Sequence, residues 1–363
     1  MTDDAPEYGS EPEQVRHLMA LLAPGTPIRD GLERILHGRT GALIVLGDSP
    51  EVRKVSTGGF SIDVRLTPQA LRELSKMDGG IVLSSDHERI MAAGVHFVPD
   101  RELRTEETGT RHRSADRVAQ QTGIPAVVAS ASMNTLSVFL RGRRYRIEEP
   151  EKLLTRANQA LDTLGSYRSR LVDQTSALTM VEVRDVATVA DVAAVAQRIE
   201  MAHRIDSEVR AYVSALGVEG RLIQLQRDEL IDGVEELSRL LVEDYRPDDV
   251  APGEFTLAPL SALSWDDLGQ PLRVAAAIGL APSHYPLSTV LHARGHRQLS
   301  TIGDLPPRTV QAIIDRFGTL QSLYAAGSGE LGEVDGVGPQ KAKSIRDALE
   351  RIFEGDEQAG GLR

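Results

Sequence analysis

The hydrophobic pattern of this chain changes character at Pro150, and that change limits what the chain can fold into. Before it, residues 12–147 alternate helix-like and strand-like runs: helices are predicted at 12–23 and 29–37, and strands at 42–46, 81–83, 126–129 and 136–140. Such alternation builds an α/β domain around one mixed sheet. After it the strands stop. Leu153, Leu154, Ala157, Leu161 and Leu164 share one helical stripe, followed by Val192, Val195 and Ile199 and by Leu230, Val234, Leu237 and Leu241, as in amphipathic helices that pack on one another. Thr188 with Asp191 has the form of an acidic capping box. Pro247, Pro252 and Pro259 mark 246–264 as a linker. Residues 1–11, acidic and poor in large apolar groups, read as a disordered lead. The expected order is that lead, an α/β domain over 12–150, a helical linker domain over 151–290 and a C-terminal domain over 291–363.

Composition removes several function classes. The absence of cysteine excludes disulfides and thiolate metal sites. A net charge of -12 argues against blanket adhesion to nucleic acid or anionic membrane. The nine histidines form no pair at metal-ligand spacing on an evident helix. No apolar run approaches the ~20 residues needed to span a bilayer, and the start, Met1-Thr2-Asp3-Asp4, is acidic where a signal peptide would be basic. The expectation is a soluble cytoplasmic protein with no membrane partner.

Two loops carry the chemistry of the first part. Gly109-Thr110-Arg111-His112-Arg113-Ser114 enters a helix-like run that ends at Gly123. The first amides of a helix lack partners and the macrodipole is positive there, so such an entry suits phosphate, with Arg111, His112 and Arg113 as further donors. A solvated basic turn capped by Thr110 or Ser114 is the plainer alternative. About thirty residues upstream, Met77-Asp78-Gly79-Gly80 leads into Ile81-Val82-Leu83. The two glycines let backbone approach a ligand while the Asp78 carboxylate can hold a hard cation or accept a proton; an ordinary Asp-Gly turn opening a strand is again the alternative.

Near the C-terminus, Leu331-Gly332-Glu333-Val334-Asp335-Gly336-Val337-Gly338-Pro339-Gln340-Lys341-Ala342 resembles a helix-hairpin-helix motif. Glycines permit the tight hairpin and Pro339 suits the first turn of the next helix. Amides around Gly336, Val337 and Gly338, with Lys341 and Lys343, can grip a DNA phosphate but cannot read bases. Thr301 to Pro306, with a helical run to Phe317, looks like a degenerate second copy. Charge does not decide between this and an ordinary helical hairpin: across 291–350 seven Lys/Arg balance seven Asp/Glu.

Together these residues resemble the bacterial DNA integrity scanning family, which joins a diadenylate cyclase domain to C-terminal helix-hairpin-helix DNA-binding motifs. The family carries an Asp-Gly-Ala loop and an Arg-His-Arg loop at similar separation; residues 29–46 and Val98-Pro99-Asp100 fit as well. One departure is Gly80, which stands where the family usually has alanine, and a lost methyl is expected to loosen the loop.

The resemblance implies condensation of two ATP into cyclic di-AMP and two pyrophosphates, coupled to sensing of DNA structure or damage. It makes Asp78 the ligand of Mg2+ or Mn2+ and the group that activates the 3'-hydroxyl. Thr110, Arg111, His112 and Arg113 hold the triphosphate. Gly79, Gly80 and Gly109 lie against the nucleotide; Ser130 matches a family serine there, although a strand-terminal serine is ordinarily just a turn former, and Phe97, by its position in Val95-His96-Phe97-Val98-Pro99, flanks adenine or belongs to the core. Implied partners are branched or damaged DNA, without sequence specificity, and other copies of the chain in an octamer with facing cyclase domains; implied location is the cytoplasm, at the nucleoid. The rivals are a DNA-repair nuclease or ligase and a non-catalytic nucleotide-binding DNA sensor. A nuclease would need clustered carboxylates and a ligase a lysine nucleophile, for which Lys76 is the one nearby candidate.

Overall fold

The computed structural model describes residues 11–251, 253–280, 286–303 and 305–360. The predicted lead therefore lies outside the described residues, except Glu11, which opens the first helix. The chain divides into two compact units, Met1–Gln159 with Val209–Leu225, and Ala160–Glu208 with Gln226–Arg363.

The first unit is built on an eight-stranded sheet: β1 Ala42–Val45, β2 Ser56–Thr57, β3 Phe60–Arg65, β4 Gly80–Leu83, β5 Arg89–Phe97, β6 Ala126–Ser130, β7 Thr135–Leu140 and β8 Arg143–Ile147. Strand order is β2-β5-β4-β1-β6-β7-β8, with β3 also on β5. Only β1 and β4 run parallel, so the sheet is mixed as the alternation predicts. Five helices accompany it: α1 Glu11–Leu21, α2 Pro27–His37, α3 Pro50–Lys54, α4 Pro68–Leu74 and α5 Thr110–Thr122. Thr26, Ser49 and Thr67 each cap a helix whose first turn holds proline.

Both faces of the sheet are covered, which explains why β1, β4 and β6 read as unbroken apolar runs. Ile44, Ile81, Leu83, Val127 and Ala129 pack with Leu22, Ile28, Leu32, Ile35 and Leu71. On the other face Leu43, Val45, Val82, Val95, Ala126 and Val128 pack with Ala115, Val118 and Ala119 of α5. The strands absent from the prediction lack that signature. β3 is mostly exposed, β5 is bulged against β4, and β8 carries three arginines in five residues.

In the second unit helices dominate, as the periodicity after Pro150 requires. α6 spans Pro150–Val183, α7 Val189–Leu216, α8 Arg221–Ile231 and α9 Val234–Tyr245, the first three contributing residues to both units. The capping box at the head of α7 is present: Thr188 N–H donates to Asp191 Oδ2 at 2.8 Å and Asp191 N–H to Thr188 Oγ1 at 3.4 Å. Residues 295–298 are tied to α6 and α9. Asp244 accepts from the amides of Gly295, His296 and Arg297 at 2.8, 2.6 and 3.1 Å. Glu182 accepts from Tyr245 Oη at 2.5 Å, from Arg297 Nη1 at 2.7 Å and from Gln298 Nε2. Burial pushes the Glu182 carboxyl up to about 7, against the opposing charge of Arg297. No helix among the described residues is long and apolar enough to cross a membrane.

Candidate active site

Strand register gathers the predicted residues at one end of the sheet. Parallel pairing of Ile44 with Ile81 sets the start of β1 beside the start of β4, and antiparallel pairing of Ala42 with Ala129 brings the end of β6 level with Gly41. Pairing of Gly80 with Val95 carries the end of β5, and so Phe97, to the same place. Alternation then decides the face: Leu43, Val82, Val95 and Val128 all point toward α5, so Gly41, Gly80, Phe97 and Ser130, two residues from each, belong to that face as well. Arg111, from the first turn of α5, completes the corner. Its Nη1 lies 2.8 Å from where a Cβ on Gly41 would stand, and the Ala129 carbonyl oxygen 3.2 Å from that point. Gly41, with φ +69°, was not among the sequence candidates; a glycine before a strand is too common to single out.

Asp78 is exposed, and its Oδ1 accepts the N–H of Gly79 at 3.1 Å. Gly79 has φ +107°, and a Cβ there would meet the Gly94 backbone at 2.6 Å, so glycine is obligatory. Gly80 differs. Its φ is ordinary, but a Cβ would fall 2.4 Å from Phe97 Cε2 and 3.0 Å from the Leu43 carbonyl oxygen. The expectation of a loosened loop is therefore corrected: the Phe97 ring fills the place of the missing methyl. Ser130 is buried, its Oγ 3.4 Å from Ser132 Oγ.

The first turn of α5 is left bare of side-chain partners. Gly109 is the N-cap and supplies no side-chain bond, the first turn holds no acid, and Thr110, Arg111 and Arg113 are exposed. Neither Thr110 nor Ser114 caps the helix, contrary to the plainer alternative.

His112 is placed differently from its neighbours in the motif. It belongs with Ala115, Asp116 and Ala119 to the buried stripe of α5, so the helix turns it inward while its neighbours face out. Its ring meets Phe139 edge-on at 5.9 Å, and its Nε2 has no hydrogen-bond partner among the described residues. Burial first, then the charge of Arg144, hold its pKa below the usual histidine value. Arg144 donates from Nε to Ser137 Oγ at 3.0 Å and from Nη1 to Glu107, a polar set under α5 that motif reasoning missed.

Among the described residues no group of three or more His, Cys, Asp or Glu could hold a metal. A lone exposed carboxylate fits a cation that takes its remaining ligands from phosphate and water, the usual mode of Mg2+. It does not fit the paired metals of a nuclease. Lys76 is exposed and ion-paired with Glu73 at 2.6 Å, which gives a ligase no activated nucleophile.

In the second unit, helix Pro339–Gly360 begins at Pro339, and Gly336 has φ +80° with Thr309 Oγ1 3.0 Å from its Cβ position. Gly338 needs no such conformation. Val337 is corrected as a DNA contact: its side chain is 4% exposed and its amide donates to the Val334 carbonyl at 3.0 Å. Gly336, Gly338, Lys341 and Lys343 are exposed.

Comparison with known proteins bears on the α/β region and on the helices that follow it. Residues 29–144 match the family model described as DisA bacterial checkpoint controller nucleotide-binding, and residues 147–285 that of the DisA bacterial checkpoint controller linker region. The chain is 65% identical to the DNA integrity scanning protein DisA of Cutibacterium acnes over 94% of this chain and 99% of that protein. It is 47% identical to the same-named protein of a Parafrankia species, over 93% of this chain and 95% of that one. With Streptomyces coelicolor the identity is 46%, over 94% and 92%. The corner that joins the Asp78 loop to Arg111 thus sits within a matched nucleotide-binding module, and the chain belongs to the family of bacterial DNA integrity scanning proteins, as a diadenylate cyclase.

Proposed function

We propose that this protein condenses two ATP into cyclic di-AMP and two pyrophosphates, with its rate set by DNA held at the C-terminal hairpin. The observation that carries the reading is the convergence of Asp78-Gly79-Gly80 and the Arg111 guanidinium at one end of the sheet. In each half-reaction a ribose 3'-oxygen bonds to the α-phosphorus of the other ATP, the bond from that phosphorus to the bridging oxygen breaks, and pyrophosphate leaves. Positioning and charge neutralisation carry most such displacements. Asp78 orients the 3'-hydroxyl and takes its proton. The free amides of the α5 first turn, with Thr110, Arg111 and Arg113, hold the departing pyrophosphate. Phe97, Gly79, Gly80, Gly109 and Ser130 border the nucleotide, and His112 holds the turn from beneath by packing on Phe139. A divalent cation at Asp78, Mg2+ or Mn2+, supplies further positive charge beside the phosphates.

One ATP per copy cannot close the ring, so two copies face each other across a two-fold axis, within an octamer. Gly336, Gly338, Lys341 and Lys343 grip the backbone of branched or damaged DNA without reading sequence. The domains are cyclase over 12–150, linker over 151–290 and DNA-binding over 291–363, and the protein works in the cytoplasm at the nucleoid.

The test incubates the full chain with ATP and either metal, with and without branched DNA, and measures cyclic di-AMP and pyrophosphate. Two pyrophosphates per cyclic dinucleotide, with synthesis lowered by DNA, are expected. ATP binding without product would favour the sensor reading, and DNA cleavage or joining the repair reading.

A further inference from the structure

We infer that Gly80 and Phe97 form a matched pair, in which the missing side chain of Gly80 seats the Phe97 ring and thereby sets the width of the nucleotide corner. This deepens the cyclase reading and rests on it. Two adjacent glycines occupy the loop for different reasons. At Gly79 the backbone itself forbids a side chain, because φ is +107° and Gly94 C lies 2.6 Å from the Cβ position. At Gly80 the backbone would accept alanine. What excludes it is chiefly the Phe97 ring, with Cε2 at 2.4 Å and Cδ2 at 3.1 Å, and to a lesser degree the Leu43 carbonyl oxygen at 3.0 Å.

The ring has one direction in which to yield. Phe97 packs against the apolar cluster of Leu43, Val82, Val95 and α5, whose members are buried and closely fitted. The ring is only half-buried, so it keeps an open side, which the cyclase reading puts at the nucleotide corner. A methyl at position 80 drives it there, into space that the nucleotide needs. Gly80 is thus a positioning residue that acts through Phe97. The alanine usual in the family at this place requires a different seat for the side chain at position 97.

The test is a double-mutant cycle in the full chain: wild type, G80A, F97L and G80A/F97L, with thermal midpoint, kcat and KM for ATP measured on each. G80A is expected to raise KM roughly tenfold, with a smaller effect on kcat, and to lower the thermal midpoint, because overpacking at a closely fitted site is destabilising. In the F97L background the same G80A change should have little effect on either quantity. Equal effects of G80A in the two backgrounds, or no effect of G80A on KM and midpoint in the wild type, would overturn the pairing. Absence of cyclic product from the wild type would defeat the cyclase reading instead, leaving the four thermal midpoints to decide the pairing alone.

Discussion

Arg297 and Glu182 form an ion pair of 2.7 Å in which both side chains are almost wholly enclosed. Burial raises the Glu182 carboxyl from 4.5 to about 7, so the folded state keeps a proton that the unfolded chain has released. The contribution of this group to stability is greatest below pH 4.5 and is lost as pH rises through about 7. E182Q keeps an acceptor for Tyr245, can donate to the Gln298 Oε1 once that amide turns over, and removes the titration. The difference in thermal midpoint between wild type and E182Q should therefore change across that window; a constant difference would mean that Glu182 stays ionised throughout.

Asp78→Asn is nearly isosteric and removes the charge that orients and deprotonates the hydroxyl. Cyclisation should fall by at least about a hundredfold, with thermal midpoint and assembly unchanged. Retained turnover would assign proton removal to another group.

Arg111 and His112 are adjacent, yet their alanine variants should fail differently. Arg111→Ala removes a charge-assisted phosphate contact of about 1.5–3 kcal/mol, which raises KM for ATP by roughly 10- to 100-fold at unchanged stability. His112→Ala empties a buried place beside Phe139 and should cost about 2–4 kcal/mol of stability, with a smaller effect on KM. Equal KM effects at equal stability would return His112 to the phosphates. Because burial lowers the His112 pKa, the stability it confers is full above the ordinary value of 6.5 and is lost as pH falls below it.

Lys341→Glu in the full chain should weaken DNA binding alike for all sequences and reduce the slope of log affinity against log salt by about 1 or more. Val337→Asp should unfold the hairpin, since it buries an unpaired charge. Truncation near Val250 is a poor route to a DNA-blind protein. It would strip Glu182 and Asp244 of their partners at 295–298.

Strands enclosed on both faces, helix stops such as Gly123 and the Thr188 capping box were legible because each has a local cause. Likewise Asp78 and Arg111 stood out by residue type and loop context. What sequence did not reveal was contact across the sheet. That Phe97 lies on Gly80, or that Arg111 reaches Gly41, follows from register between distant strands, for which a single chain carries no local mark. His112 is the opposite case: the stripe 112, 115, 116, 119 was available to periodicity, but the motif drew attention to the charged triplet instead.

Under the proposed function, the bare entry to α5 is also a trade between durability and turnover. Replacing a capping side chain by glycine sacrifices only a few tenths of a kcal/mol, so Gly109 leaves the first amides of the helix vacant almost without harm to the free protein. A serine or aspartate there would claim those amides for itself and stand as a permanent competitor of every incoming triphosphate. Selection for a sturdier apo-protein and selection for a faster enzyme pull in opposite directions at this residue, and the stability difference is small enough for the second to win.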